Sequence, residues 1–590
     1  MPVLNVRNIG SVGVNSDIEP WDLPPDALTD GINYRLSANK LQSVGGTMPI
    51  SPKSGDELGH INQATDFNGN STWVVCGENS IKLFNGQEFI DVGDNLRRSE
   101  PRFSNLDPTL WTSCQIGQVV FLNHPQLYPV YWVNDGGNTD LQPLWWHIND
   151  ETWADKGYSC RLLCAHKNFL FALGMQEGAE SYADKVWWSH PAEPNGIPFS
   201  WRPTYEEPSS IAGWVNLGRG GAIVGGESLR DSFVIYSERA INVMDYVGDA
   251  LGWRRRSISS AAGLVSEHGL VEYQGRHFFI SPGDIQTFDG NGIGSIMHNR
   301  LRQRFASRMN TDALKHSWAA HNPTFNEIWF AIPEGADEIP ETAYAYNYRD
   351  DNWGIRNLEL PFRHAHFGKM ASFTNRTWNS ASGSWNSSRE AWLSSGDEPF
   401  EGGLIGVTGE ELHNIDVLNE TFDYDFVSLG GDVWDATTMA WDDAKAKWSD
   451  VSPNDIPAQN NVVWATVQGT WDNSVISWDD IYPRYNYERK PTIIRRTDLP
   501  IGGHEMNTTI TRLYPLVEGT APIQVRVGSQ QQAGGPIKWA GDYRTFIPGK
   551  DRKIDVRTTG ECHCYEIKSD GGSFFNLTGM DIEWSEAGAR

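Results

Sequence analysis

The chain has 590 residues, with 48 Lys and Arg against 75 Asp and Glu, for a formal net charge of −27. That balance excludes a surface built to grip phosphates by bulk charge, and 39% hydrophobic residues exclude a disordered tail or a collagen-like fibre. No apolar run approaches the ~20 residues of a membrane helix. The opening MPVLNVRNIGSVGVNSDIEP has no basic start followed by an apolar stretch, so no signal peptide is expected. Turn formers are abundant (58 Gly, 31 Pro) and so is Trp, at 26. Many turns with many aromatics lean toward β structure. Cys76, Cys114, Cys160, Cys164, Cys562 and Cys564 are too few for a disulfide framework and lack zinc-knuckle spacing, so buried, reduced thiols are expected.

From about residue 60 to 360, short segments alternate apolar and polar residues between turn signals. They are TWVVCGENSIKLFNG (72–86), CQIGQVVFLNHPQLYPVYWV (114–133), and LLCAHKNFLFALGM (162–175) with KVWWSHP (185–191). IVGGESLRDSFVIYSERAINVMDYVG (223–248), GLVEYQGRHFFISPGDIQTFDGNGIGSI (269–296) and WAAHNPTFNEIWFAIP (318–333) with TAYAYNYRDDNWGI (342–355) follow. A further unit is read in FRHAHFGKMASF (362–373) with LIGVTGEELHNIDV (404–417). Repeated strand–turn–strand units at intervals of roughly 45–55 residues predict an all-β chain containing a β-propeller of about six or seven blades. The competing reading is a run of unrelated hairpins in a sandwich.

One helix is predicted over HNRLRQRFASRMN (298–310), where Leu301, Phe305 and Met309 share a face. Arg300, Arg302, Arg304 and Arg308 lie outside that stripe, either as a solvated face or as a dock for an acidic partner. Between 378 and 478, tryptophans recur every seven residues in three groups: Trp378, Trp385 and Trp392; Trp434, Trp441 and Trp448; Trp464, Trp471 and Trp478. A helical heptad needs two apolar positions per seven. Here the filler is Ser, Thr, Asn, Asp and Gly, which compete with helix through local hydrogen bonds. A ladder of tight turns with stacked indoles fits better, serving as internal packing or as an interface. After about 490, TTITRLYPLVEG, APIQVRVGS, KIDVRTTGECHCYEIKS and FFNLTGMDIEWSEAG read as strands of a C-terminal β-sandwich. The expected organisation is an N-terminal arm and lead-in strand over 1–50, a propeller over 51–370, a Trp-rich insertion with part of a last blade over 371–485, and the sandwich over 486–590.

No nucleophile elbow, Walker loop, His-Glu-x-x-His or calcium loop is present, so neither an enzyme nor a cofactor is expected. Of the 15 His, His364 and His366 are the closest pair. They share one face of a strand, and no third ligand accompanies them in the spacing, so no metal is expected.

The order of these features resembles the tail nozzle proteins of short-tailed bacteriophages, also called tail tubular protein B or tail hub proteins. DALTDGINYRLSANKLQSVGG (26–46) resembles the family's opening. GGESLRDSFVIYSERAINVMDYVG (225–248), AAGLVSEHGLVEYQGRHFFISPGDIQTFDGNGIGSI (261–296) and the Arg-rich helix resemble its propeller core, and NEIWFAIP (326–333) with YAYNYRDDNWGIRNL (344–358) the next blade. KIDVRTTGECHCYEIKS (553–569) and LTGMDIEWSEAGAR (577–590) are similar to its closing β-domain, where Gly560-Glu561-Cys562 departs from the usual Gly-Arg-Tyr-like turn. The resemblance implies a structural virion protein: a ring, usually of six, below the portal and its adaptor. Such a ring passes genome DNA through its lumen and helps dock tail fibres or spikes. An acidic lumen would repel duplex DNA, which carries one charge per ~1.7 Å, and let it slide. The alternative is a carbohydrate-binding or glycan-cleaving propeller that uses exposed Trp as sugar platforms.

Overall fold

A computed structural model describes residues 2–369, 402–417 and 491–589, less short stretches at 67–68, 70, 87, 101, 135–139, 149, 195, 219, 249–251, 504–505, 520 and 570–574. Among the described residues, seven antiparallel sheets have four strands each. Their first strands are Leu58–Thr65, Thr112–Ile116, Tyr158–His166, Ile223–Leu229, Leu270–Tyr273, Trp318–Asn322 and His364–Lys369. Each of these lies against the first strand of the next sheet, and the last returns to the first, so the sheets close into a ring. The chain is therefore a β-propeller, and the sheets are numbered here as blades 1 to 7 in that order.

The blades form for local reasons that the predicted turns anticipate. In blade 5, Gln274 and Gly275 both sit at positive φ (50° and 72°) between Leu270–Tyr273 and Arg276–Ser281. That is the two-residue hairpin turn whose twist matches the strands it joins. Several middle strands are almost wholly buried, as in Val119–Asn123 of blade 2 and Glu327–Ile332 of blade 6. A strand buried on both faces needs a partner blade on each side. Accordingly, a separate apolar cluster fills each gap between neighbouring blades.

Ring closure comes from the far end of the chain. Blade 7 takes its first three strands from His364–Lys369, Gly402–Thr408 and Glu411–Val417, and its outer strand from Gly46–Pro49. Residues before that strand do not form a free-standing arm. Val3–Arg7, Tyr34–Ser37 and Lys40–Ser43 join Met506–Gly519, Ile554–Gly560 and Phe575–Ala589 in one six-stranded sheet. Asp30–Ile32 joins Ile493–Pro500, Cys562–Ser569, Ile523–Gln530 and two short strands in another. The predicted C-terminal unit is thus two sheets completed by the N-terminus, and its apolar core runs on into the gap between blades 5 and 6.

The seam between the two bodies is charged. Arg35, on Tyr34–Ser37, is buried and pairs with Glu327 of blade 6 at 3.0 Å and with Asp416 of blade 7. Arg356 of blade 6 reaches the same Glu327 at 2.9 Å. Burial disfavours the charged form of Glu327, but Arg35 and Arg356 outweigh it and hold the carboxyl below its ordinary range.

The predicted helix is shorter than its apolar stripe, running Arg302–Arg308 with Leu301 and Phe305 fully buried. The residues before Leu301 form turns instead. All nine tryptophans of the ladder, Trp378 through Trp478, lie outside the described residues. In sequence they fall between the first two strands of blade 7 and between blade 7 and the two-sheet unit.

Candidate functional site in the axial channel

Side chains alternate along a strand, so every second residue of a first strand faces the same way. Where seven first strands converge they enclose a channel, here a cavity of about 580 Å³. Its lining is polar for an interior: His60, His268, His321, His364 and His366 sit with Glu227, Glu267 and Glu272. Burial raises the Glu227 carboxyl to about 7. Glu267 is paired across the wall with Arg161 of blade 3, at 3.3 Å.

Three of the imidazoles meet. His60 comes from blade 1, His364 from blade 7, and His268 from the turn leading into blade 5. The His60 and His364 rings stack at 4.7 Å between centroids and 16° apart. His268 lies over both, 5.2 Å from His60 and 4.4 Å from His364. One nitrogen from each ring lies within 4.8 Å of the others.

The hydrogen bonds indicate which nitrogens remain available. His268 Nε2–H donates to the Thr109 carbonyl at 3.2 Å, leaving its Nδ1 lone pair free of that bond. His60 Nε2 lies 2.9 Å from Ser113 Oγ, while its Nδ1 is buried without a hydrogen-bond partner. His364 Nδ1 accepts the backbone N–H of Ile61 at 3.3 Å, the longest of the three contacts. Burial pushes His60 and His364 well down from the ordinary histidine range, with repulsion from neighbouring imidazoles adding to the shift, and burial also lowers His268. Burial likewise lowers His366 to about 4. The rings are therefore neutral at pH 7, the form that binds metals.

The spacing argument finds His364 and His366 on one strand face and stops there. The structure supplies their company from residues about 100 and 300 positions earlier. A comparison of the repeats would have flagged them, since His60, His268 and His364 all lie within two residues of the start of a first strand.

The arginines singled out from the helix lie elsewhere, and all four are engaged within the chain. Arg300 pairs with Asp351 at 2.8 Å, Arg302 approaches Asp284 at 3.6 Å, and Arg308 approaches Glu334 at 3.9 Å. Arg304 reaches across to Asp30 of the two-sheet unit at 2.5 Å. The helix thus helps hold that unit to blades 5 and 6.

Together the fold and channel define a seven-bladed β-propeller clasped by a two-sheet unit. No family model matches the chain, and no curated protein matches it. Among solved structures it is similar to YCF48 from Cyanidioschyzon merolae, at 8% identity over 63% of this chain and 98% of that one, with a TM-score of 0.34. BBS1N, solved in complex with ARL6DN, is 12% identical over 65% of this chain and 98% of its own, with a TM-score of 0.33. The WD40 domain of Neurospora crassa Pan2 is 8% identical over 63% and 97%, with a TM-score of 0.32. At that level the likeness concerns the fold and carries nothing about binding or activity.

Proposed function

We propose that the chain is a structural subunit of the tail nozzle of a short-tailed phage. It assembles as a ring, in six copies by the family's pattern, continues the portal–adaptor channel, passes DNA without reading its sequence, and offers its flank to tail fibres or spikes. The observation that carries this reading is the order of the segments similar to that family. Residues 26–46, 225–248, 261–296, 326–333 with 344–358, and 553–590 run in the family's order. In this chain they fall in the N-terminal strands of the two-sheet unit, in blades 4 to 6, and in that unit's C-terminal strands. The net charge of −27 suits a conduit for a polyanion, and no helix among the described residues is long and apolar enough to cross a membrane.

Sedimentation of the purified chain followed by negative-stain imaging tests the proposal. The expected result is a closed ring with an opening wide enough for duplex DNA, formed alone or on addition of the adaptor. A strict monomer under both conditions overturns it. Glycan cleavage by that monomer would favour the carbohydrate reading instead.

A further inference from the structure

We propose that the axial channel binds one divalent transition-metal ion through His60, His268 and His364, bracing blades 1, 5 and 7 across the propeller axis. The inference is independent of the nozzle reading. It stands on the convergence of three imidazole nitrogens within 4.8 Å of one another, two on first strands and one on the turn leading into another, whose positions are fixed by the ring. It stands equally on the Nδ1 of His60, a buried nitrogen with no hydrogen-bond partner in a residue only 4% exposed. Leaving such a nitrogen unpaired costs free energy unless something accepts its lone pair.

The second contacts fit the role. A metal-binding histidine ordinarily donates its other N–H to an oxygen, which fixes the tautomer and turns the ring. His268 does so toward the Thr109 carbonyl, and His60 Nε2 stands 2.9 Å from Ser113 Oγ, which accepts in the tautomer that leaves Nδ1 free for a metal. His364 binds by giving up its long contact with the Ile61 N–H, or by turning about its Cβ–Cγ bond. Imidazole ligands select zinc, copper, nickel or cobalt over magnesium or calcium, which prefer oxygen. Three protein ligands leave a fourth position facing the channel, the arrangement of an open rather than a fully closed site. The cysteines of the neighbouring wall, Cys114 and Cys164, are the competing donors.

The full chain, stripped with chelator, is titrated with zinc or cobalt and followed by bound metal per chain and by thermal unfolding. One ion per chain and a raised melting temperature are expected. His60→Gln and His268→Gln should each weaken binding at least about tenfold, while His298→Gln, at an exposed position, leaves it unchanged. X-ray absorption on the zinc-loaded wild-type chain reads the ligands without any substitution: nitrogen or oxygen neighbours at ~2.0–2.1 Å with the scattering of three imidazoles. The proposal is overturned by no saturable binding, by binding that survives both histidine substitutions, or by sulfur neighbours at ~2.3 Å, which would move the metal to the cysteines.

Discussion

The propeller axis and the seam with the two-sheet unit both bury polar side chains, and they solve the problem in opposite ways. At the seam the groups are charged, and each is held by a partner on another element: Arg35 by Glu327 and Asp416, Arg356 by Glu327. In the axial histidine cluster the groups are neutral imidazoles, two of them stacked face to face, and the His60 Nδ1 is left without a hydrogen bond. The shared carboxylate ties the two guanidiniums to one arrangement of the bodies, although Arg35 Nη1 and Arg356 Nε and Nη1 are buried without hydrogen-bond partners. A stack of neutral rings imposes no such register, and it retains capacity for a ligand. The difference separates a place that holds the molecule together from a place that has chemistry to spare.

The largest expected effect lies at the seam. Glu327→Ala would leave Arg35 and Arg356 buried without the carboxylate they share, a loss on the order of 3–5 kcal/mol. Urea unfolding measures it. A loss below about 1 kcal/mol would mean that water reaches the guanidiniums, and the contrast with the axis would collapse.

Closure of the ring comes next. Gly45 precedes the outer strand of blade 7, and an added Cβ there would sit 2.4 Å from the Val417 carbonyl oxygen. That neighbour is backbone and cannot swing aside. Gly45→Ala should therefore cost about 1–3 kcal/mol and raise amide exchange in Gly46–Pro49 and Glu411–Val417 before other blades. Uniform exchange across all blades would show that this strand does not limit opening.

How much of this was legible follows from range. The blades were readable because period-two alternation and turn chemistry are local: QG and PG turns in 269–296 lie where chain reversal requires them. The closing strand was not, because Gly46–Pro49 pairs with residues more than 360 positions away and nothing near it signals that partner. The same holds for Arg35, whose neighbours Tyr34 and Leu36 are also fully buried, so alternation gives no hint that a charge goes inside. Of the axial cluster, His364 with His366 was visible, since their spacing puts both on one face of a strand. His60 and His268 were lone histidines until the ring brought them together.

Acid should erode both bodies through buried neutral histidines outside the axial cluster. In blade 5, His277 Nε2–H donates to the Ser228 carbonyl at 2.8 Å, and its Nδ1 lies 2.8 Å from the Tyr236 hydroxyl. Burial lowers it to about 4, as it does His563 in the two-sheet unit. Unfolded, each would take up a proton near pH 6.5. Between about 6.5 and 4 the unfolded state therefore binds more protons than the folded one. Stability is full above that window and falls as the pH drops through it, by up to about 1.4 kcal/mol per pH unit per histidine. His277→Gln should flatten the pH dependence of the unfolding midpoint by one such increment. An unchanged slope would place the acid sensitivity elsewhere.

The smallest effect is the control that gives the first its meaning. Arg7 pairs with Asp581 at 2.7 Å on the outer face of the two-sheet unit, with its side chain 49% exposed. The two groups are the same chemical pair as Arg35 and Asp416, but water already solvates the guanidinium. Removing it leaves the Asp581 carboxylate, 19% exposed, in contact with water rather than sealed inside, so Arg7→Ala should cost about 1 kcal/mol and less at high salt. If burial decides what an ion pair is worth, Glu327→Ala must exceed Arg7→Ala by several-fold in the same urea titration. Equal losses would mean that the seam is held by its apolar neighbours, with the charges contributing little to docking.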